Sequence, residues 1–348
     1  MKDIDNASKI LDLISDPAFC VQDNEILCVN RNAQSLGIQT GTNVLELLGN
    51  NKEVYEQYSG GTLNLSLTIF PKEIGATVTC LDKLQIFKLD ASSMNDSLQA
   101  MALASQYLRM PLSDLITISD RMLPQEDNSP EAMHFKRSLY RMQRLLNNMS
   151  CSANILPDTL NAMEVLDVAA LFRELAEKAE ATVTKSGRTL QYTGPEDAIL
   201  TLANRDRLEQ AMFNLISNAI KFSPAKSQIR LSLARRNSSL IFTVTNENDG
   251  RTPINTEDIF ARFLRMPSVD EGRVGLGLGM LIVRSVAMAH GGTVLVESSK
   301  TTKVTMTLAI RKGGTETLRS KILPINISGG MDPVLTEFAE VLPAEEFK

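Results

Sequence analysis

Two segments with heptad spacing, separated by a proline-containing break, most constrain the fold of this chain. Apolar or small residues recur at alternating spacings of four and three from Met94 to Met122 and again from Ala132 to Ala153. The break between them reads PQEDNSP, residues 124–130. This pattern predicts two long antiparallel helices, each with an apolar stripe. A lone hairpin cannot bury such stripes from both sides, so we expect residues 91–157 to pair with a second copy into a four-helix bundle.

Residues 1–90 combine short β-rich runs with turn signals. Ala18 to Asn30 holds two apolar segments around Asp23-Asn24, which predicts a β-hairpin, and LNLSLTIFP and GATVTCLD are further strand candidates. The stretch DPAFCVQDNEILCVNRNAQSLG resembles the opening of a PAS sensory domain, in which a hairpin leads into short helices that help line a pocket. The resemblance implies a PAS-like α/β sensory domain and names no ligand. The alternative is a small α+β domain that serves only for dimerisation.

The pattern after Pro157 is mixed α/β. DVAALFRELAEKAEATVTKSG predicts a helix with Asp167 as N-cap and Gly187 as its C-terminal stop, and RLEQAMFNLISNAIKFS predicts another. The alternating segments IRLSLARR, LIFTVTN, GTVLVESS and KVTMTLAI predict strands. In the last of these, one face carries Val304, Met306, Leu308 and Ile310. We therefore expect helices on a mixed sheet over residues 158–312, followed by a tail, 313–348, that ends in a short helix or in disorder.

Polar residues border the apolar stripe of the helix from Leu208 to Phe222. Asn214, Asn218 and Lys221 fall at i, i+4 and i+7 on one face. Amide oxygens suit a hard cation such as Mg²⁺, and a lysine supplies a point charge for phosphates that the cation bridges. Without further motifs, the same pattern also fits a solvated polar helix edge.

A glycine-rich segment, GRVGLGLGMLIVRSVAMAHGG, follows further along the chain. Gly275, Gly277 and Gly279 alternate immediately before a helix, an arrangement that lets backbone N–H groups approach phosphate at a helix N-terminus. A glycine-rich loop alone is weak evidence, and this one does not follow a strand as in a dinucleotide-binding fold. Its position after the helix that carries Asn214 and Asn218 makes the pattern specific.

Together, NLISNAIKF, IFARFLR and GLGLGM followed by AHGG resemble the N box, F box and second glycine box of the ATP-binding domain of sensor histidine kinases. The resemblance spans about Val165 to Arg311 and implies the α/β sandwich shared with gyrase and a heat-shock chaperone. It implies that Asn218 ligates Mg²⁺ with Asn214 beside it, and that Lys221 contacts phosphate. The other residues that it assigns to the nucleotide site are Phe222, near the nucleotide, and Gly275, Gly277 and Gly279, in the lid over the phosphates.

Two further motifs of the resemblance have structural alternatives. Phe260, Arg262, Phe263 and Arg265 match the F box, and they fit core and surface positions equally well. His290 falls in the HGG turn, where a structural role competes with a catalytic one.

One box of the family is altered. Where the family has an Asp-x-Gly-x-Gly loop after a strand, this chain has Asn246, Glu247, Asn248, Asp249 and Gly250. Asn246 can accept a hydrogen bond from the adenine amine, but without the charge of a carboxylate, and Asn248 replaces a glycine where the backbone should lie close to the base. We expect weakened adenine recognition. Asp249 could substitute only in a rearranged loop.

The first hairpin helix carries a second altered motif. SQYLRMPL aligns with the His-Glu-x-x-Thr-Pro-like phosphoacceptor box of histidine kinases, with Ser105, Leu108, Arg109, Pro111 and Leu112 matching. Gln106 replaces the phosphoacceptor, Tyr107 the adjacent acid and Met110 the polar residue used in dephosphorylating the partner regulator. The lone pair of an amide nitrogen is delocalised, so Gln106 is no nucleophile, and we expect it to point to solvent. His134 lacks such a box and is expected to be a surface residue.

The composition limits which partners and which cellular compartment we expect for this chain. The formal net charge is −5, which gives no electrostatic case for nucleic acid. No run approaches the roughly 18 apolar residues of a membrane span, and the N-terminus lacks a signal-peptide pattern. The four cysteines show no metal-ligand spacing and are expected to be free thiols in the cytoplasm. Their positions are Cys20, Cys28, Cys80 and Cys151.

These patterns lead to a functional prediction with two alternatives. The first is a cytosolic pseudokinase of two-component signalling that binds Mg-ATP weakly, forms a homodimer or a heterodimer with a related kinase, and contacts a response regulator. The second is an active kinase domain that phosphorylates a histidine of a partner chain. The third is a structural dimerisation module without nucleotide.

Overall fold

The computed structural model describes residues 11–347 except residues 12, 70–71, 82–83, 91, 123–126, 153–162, 249–276 and 312–330. Its N-terminal part begins with the predicted hairpin, in which Asp23 and Asn24 both have the positive φ of a tight two-residue turn. The elements of this part are β1 (Ala18–Gln22), β2 (Glu25–Val29), α1 (Arg31–Ser35), α2 (Lys52–Glu56), β3 (Thr62–Ile69), β4 (Lys72–Leu81) and β5 (Leu84–Leu89). Stacked Phe19 and Phe87 lie in its core, with ring centroids 4.8 Å apart.

The cysteine expectation is wrong for one pair. The β1–β2 register places Cys20 directly opposite Cys28, with their Cα atoms 5.5 Å apart, and the two side chains form a disulfide. The physical reason is an irregularity in the hairpin. The strand register shifts by one residue between Cys20 and Val21, so Cys20 lies opposite Cys28 and not opposite Leu27, as the two-residue turn alone would place it. Cys80 and Cys151 are free thiols.

The two predicted long helices are α3 (Ser92–Met122) and α4 (Pro130–Ser152), which together are called the hairpin below. Alternate members of each heptad stripe are buried. The buried members are Leu98, Ser105, Leu112 and Ser119 on α3 and Ala132, Leu139 and Leu146 on α4. The exposed members are Leu108, Leu115 and Met122 on α3 and Phe135 and Met142 on α4. Leu112, Leu139 and Leu146 form an apolar cluster between the two helices, and Leu98 joins the core of the C-terminal part. Most of the other half of each stripe faces outward.

The C-terminal part places helices against a sheet. Its elements are β6 (Glu164–Asp167), α5 (Val168–Lys185), β7 (Thr189–Thr193), β8 (Leu200–Ala203), α6 (Arg205–Phe222), β9 (Gln228–Arg236), β10 (Ser239–Glu247), α7 (Gly279–Ala289), β11 (Val294–Ser298), β12 (Thr301–Ala309) and α8 (Pro333–Phe338). The predicted N-cap is confirmed, because the Asp167 carboxylate accepts from the N–H groups of Ala169 and Ala170. Helix and sheet meet where Phe172 of α5 packs edge-on against Phe242 of β10.

The described strands form a ten-stranded sheet in the order β2-β1-β5-β4-β3-β11-β12-β10-β9-β7, and β6 pairs with β8 separately. The pairing of β7 with β9 is parallel and the other described pairings are antiparallel, which confirms the predicted mixed sheet. Leu63 of β3 lies opposite Leu295 of β11, so the N-terminal and C-terminal parts share one sheet. Within the described ranges, we find no helix that is both long and apolar enough to span a membrane.

Candidate functional site

Helix α6 positions the asparagine and lysine side chains. Its N-cap, Asn204, accepts a hydrogen bond from the N–H of Arg207 at 3.0 Å. The apolar stripe of the helix is buried in the core. Asn214 is 2% exposed, whereas Asn218 and Lys221 are half-buried. The helix therefore presents these three side chains along the boundary between core and surface, as the sequence predicted.

The beginning of α7 lies against these asparagines. A Cβ atom added to Gly279 would be 2.9 Å from Asn214 Oδ1 and 3.7 Å from Asn218 Nδ2. The Asn214 amide donates to the Gln210 carbonyl at 2.9 Å, which leaves its oxygen turned toward Gly279. Gly277, two residues before Gly279, has a φ of +73°. Three of the predicted site residues, Asn214, Asn218 and Gly279, thus meet, and only a glycine fits beside Asn214 without displacing it.

This arrangement fits the group that the sequence implies there, Mg²⁺ with a nucleotide. Asn214 and Asn218 offer amide groups, which can supply oxygen ligands of the kind Mg²⁺ takes in proteins. The first N–H groups of α7 lie beside them, where a helix terminus favours phosphate. When bound, Mg²⁺ would neutralise phosphate charge, and Asn218 is the residue that would hold it.

Lys221 has a carboxylate neighbour that the sequence did not predict. Its Nζ atom lies 3.5 Å from Glu340 Oε2, and the lysine side chain is 21% exposed. Phe222, next in the chain, is half-buried at the end of α6. The acidic composition of the tail was the available signal, but no spacing tied Glu340 to α6.

The altered loop begins at the end of β10. Asn246 is buried and donates through Nδ2 to the Glu247 carbonyl at 2.8 Å. Asn248 instead reaches the β11–β12 turn, where it donates to the Ser299 carbonyl and accepts from Thr302 Oγ1, both at 2.6 Å. Asn248 therefore ties the end of β10 to the neighbouring turn.

Several predicted residues lie outside the described residues. These are Asp249, Gly250, the F-box residues Phe260, Arg262, Phe263 and Arg265, and Gly275.

His290 has a structural environment. It is buried, its Nε2 accepts from the Asn204 N–H at 3.1 Å, and its Nδ1 lies 2.7 Å from the Val286 carbonyl. Because Nε2 accepts, the proton of the neutral ring is on Nδ1 and is donated to that carbonyl. Burial lowers the pKa of His290, and the nearby cations Arg311 and Arg207 lower it further, against the raising effect of the Val286 hydrogen bond. The neutral imidazole thus ties the start of α6 to the end of α7.

The altered phosphoacceptor motif occupies the surface of α3. Gln106 is exposed, and Tyr107 and Met110 are each 76% exposed. Two of the residues that match the family, Ser105 and Arg109, face the other helix: Ser105 Oγ lies 2.7 Å from Ser150 Oγ, and Arg109 donates to Ser150 Oγ at 3.1 Å. The hairpin therefore holds Ser105 and Arg109 against α4 and presents the amide of Gln106 to solvent.

Comparison with known proteins gives these features a context. Residues 203–312 match the family described as histidine kinase-, DNA gyrase B- and HSP90-like ATPase. The probable sensor protein PcoS of Escherichia coli is 31% identical over 202 residues, which are 55% of this chain and 41% of that protein. The adaptive-response sensory kinase SasA of Synechococcus sp. (strain JA-2-3B'a(2-13)) is 28% identical over 210 residues, 58% of this chain and 55% of that protein. The chain spans about half the length of these relatives.

Among solved structures, full-length ShkA in complex with AMPPNP is similar at a TM-score of 0.48 and 20% identity, covering 62% of this chain and 46% of that one.

Proposed function

We propose that this chain is a pseudokinase of the sensor histidine kinase family, with an ATPase domain of the histidine kinase type over residues 203–312. The protein binds Mg-ATP weakly and passes on a conformational signal through dimer and partner contacts. The observation that carries this proposal is the exposed Gln106 on an otherwise retained hairpin framework. An amide nitrogen cannot attack a phosphoryl group at neutral pH, so the hairpin presents the position without the reactive atom.

Autophosphorylation is the direct test of the missing nucleophile. We expect purified protein incubated with radiolabelled ATP and Mg²⁺ to acquire no phosphate that is labile in acid and stable in base. Such phosphate on this chain would overturn the pseudokinase proposal, whichever residue carried it.

Nucleotide binding is supported by the meeting of Asn214, Asn218 and Gly279. Calorimetric titration should show weak binding of ATP that depends on Mg²⁺ and is lost in Asn218→Ala. The matched control is Asn128→Ala, since Asn128 is an exposed asparagine between α3 and α4. Absence of binding by the wild type at millimolar ATP would count for a structural module without nucleotide.

Dimerisation is supported by the outward-facing half of the heptad stripes. Leu108 and Leu115 lie seven residues apart on α3, and each exposes about half of its side chain. A second copy, or a related kinase, would cover this stripe in a four-helix bundle. We expect Leu108→Glu with Leu115→Glu to convert a dimer to a monomer in light scattering, whereas Leu36→Glu, at an exposed residue outside the hairpin, should leave the dimer intact.

A second candidate function rests on the same site. Because the described asparagine and glycine residues remain arranged for a nucleotide, the ATPase domain could act on a histidine of a partner chain in a heterodimer. Mixing this protein with partner kinases whose own ATPase domains are disabled tests this alternative. Transfer to such a partner, lost with Asn218→Ala, would favour it over the pseudokinase.

A further inference from the structure

The C-terminal segment Met331–Phe347, called the strap below, packs between the hairpin and the ATPase domain. Its Phe338 side chain is fully buried and lies edge-on to Phe213 of α6, with ring centroids 5.5 Å apart. Near its end, Phe347 packs against Tyr140 of α4 at 5.1 Å. The strap thus has one apolar anchor on each side.

Opposite charges face each other between these two anchors. Glu340 Oε2 lies 3.6 Å from Arg144 Nη1 of α4 and 3.5 Å from Lys221 Nζ of α6. Glu337 adds a second carboxylate, 3.7 Å from Arg144 Nε. All four side chains are largely shielded from water, so these interactions are screened less than those of surface pairs.

Two more arginines of α4 bind carbonyl groups just beyond the end of α8. Arg137 and Arg141 each donate from Nε to the Ala339 carbonyl, at 3.2 and 3.4 Å. Both also reach the Glu340 carbonyl. Carbonyl groups at a helix end are unpaired within the helix and carry partial negative charge, so the guanidinium groups are suited to bind there. These contacts hold the backbone at Ala339 and Glu340 against α4.

We propose that the strap is an inhibitory element, in which Glu340 competes with nucleotide phosphates for Lys221 while the strap holds the ATPase domain against the hairpin. This inference rests on the proposed binding of Mg-ATP at α6. A lysine ammonium that contacts a carboxylate must give up or share that contact to reach a phosphate, so strap docking and nucleotide binding oppose each other. By reciprocity, nucleotide binding loosens the strap and frees the hairpin from the ATPase domain.

Calorimetry on the full chain tests the competition. Glu340→Gln keeps the side-chain shape and removes its charge, and we expect it to bind Mg-ATP about tenfold more tightly than the wild type, within the usual range of coupling between sites. Glu346→Gln is the matched control, because Glu346 belongs to the same strap but pairs with Lys185 of α5 at 2.7 Å. This control should bind as the wild type does.

Hydrogen exchange provides a second measurement that needs no variant. Mg-ATP should speed exchange of the amides of Thr336 to Leu342 in the wild type if the nucleotide displaces the strap. Equal, measurable affinities of the wild type and Glu340→Gln, or binding without faster exchange, would overturn the inhibitory strap and leave nucleotide binding standing. No binding by any of the three chains would overturn nucleotide binding itself, and the competition with it.

Discussion

Arg284 of α7 donates to the carboxylate of Asp90 at 2.6 Å, although the two residues are 194 positions apart. Asp90 follows β5 and precedes α3, and Arg284 belongs to the helix that begins at Gly279. The arginine side chain is only 5% exposed. This ion pair therefore joins the N-terminal part, at the point where it leads into the hairpin, to the helix that lies beside the candidate nucleotide site.

Removal of the carboxylate should destabilise the protein. Asp90→Ala leaves a buried guanidinium without its counter-charge, and we expect a loss of about 3 kcal/mol in the free energy of unfolding. Asp16→Ala is the control, because the Asp16–Lys88 pair is partly exposed and should contribute less than about 1 kcal/mol. Urea denaturation measures both. Similar losses in the two variants would show that the Asp90–Arg284 pair contributes no more to the free energy of unfolding than a partly exposed pair.

Gly279→Ala should weaken nucleotide binding while sparing the fold. The added Cβ atom approaches Asn214 Oδ1 to 2.9 Å and must displace that amide. We expect about a tenfold loss of Mg-ATP affinity, equivalent to ~1.4 kcal/mol. Because alanine is the better helix former, the midpoint of thermal unfolding should not fall. Unchanged Mg-ATP affinity, measured by calorimetry, would show that Asn214 takes no part in nucleotide binding.

Restoring the phosphoacceptor box should restore chemistry if the ATPase domain is competent. Gln106→His supplies the imidazole nitrogen, and Tyr107→Glu supplies the neighbouring acid that manages its proton. We expect the double variant to acquire acid-labile phosphate, and the single Gln106→His variant to be slower by roughly a hundredfold. The measurement is transfer from radiolabelled ATP, with Asn218→Ala added to the double variant as the control. A double variant that binds ATP but stays unlabelled would place the defect in the ATPase domain.

Acidification should destabilise the protein through His290. Burial lowers the pKa of this histidine in the folded state, so below the usual histidine value of about 6.5 the unfolded chain binds the proton more readily than the folded chain. The free energy of unfolding should therefore fall as the pH drops from 7.5 to 5.5, by at most ~1.4 kcal/mol per pH unit for this one proton. Urea denaturation at several pH values measures the slope.

His290→Gln should flatten this pH dependence, because it removes the titrating group. His134→Gln, on the exposed surface of α4, is the control and should lose stability on acidification as the wild type does. A slope that survives in His290→Gln would show that His290 is not its source.

Much of the fold was predicted correctly because several of its features depend only on residues near one another in the sequence. The turn at Asp23-Asn24, the N-cap Asp167 and the stripe of α6 each depend on neighbours within a few residues, and all are present in the structure. The short strand β5 was missed because LQIFKL is brief and follows directly on another strand. β8 was missed for a similar reason, since it has four residues.

The contacts that the sequence did not predict all join distant parts of the chain. Nothing in the spacing around Asp90 or Glu340 names the arginine or lysine that each one meets. Asn248 was expected to crowd a backbone, but its position relative to the β11–β12 turn depends on the sheet register, which the sequence leaves open. The missed disulfide depends on a local irregularity, because the two-residue turn alone would place Leu27 opposite Cys20, and the shift in register that brings Cys28 there is not visible in the sequence.

The shared sheet sets an order of events during synthesis. Strand β3 leaves the ribosome about 230 residues before β11, its partner, which at translation rates of 5–20 residues per second is a wait of roughly ten to fifty seconds. Through that interval the backbone of Thr62 to Asn64 has no strand to pair with on its outer side. A β11 strand from a neighbouring nascent chain offers the same hydrogen bonds, so exchange of this strand between chains is the misassembly that newly made protein must avoid.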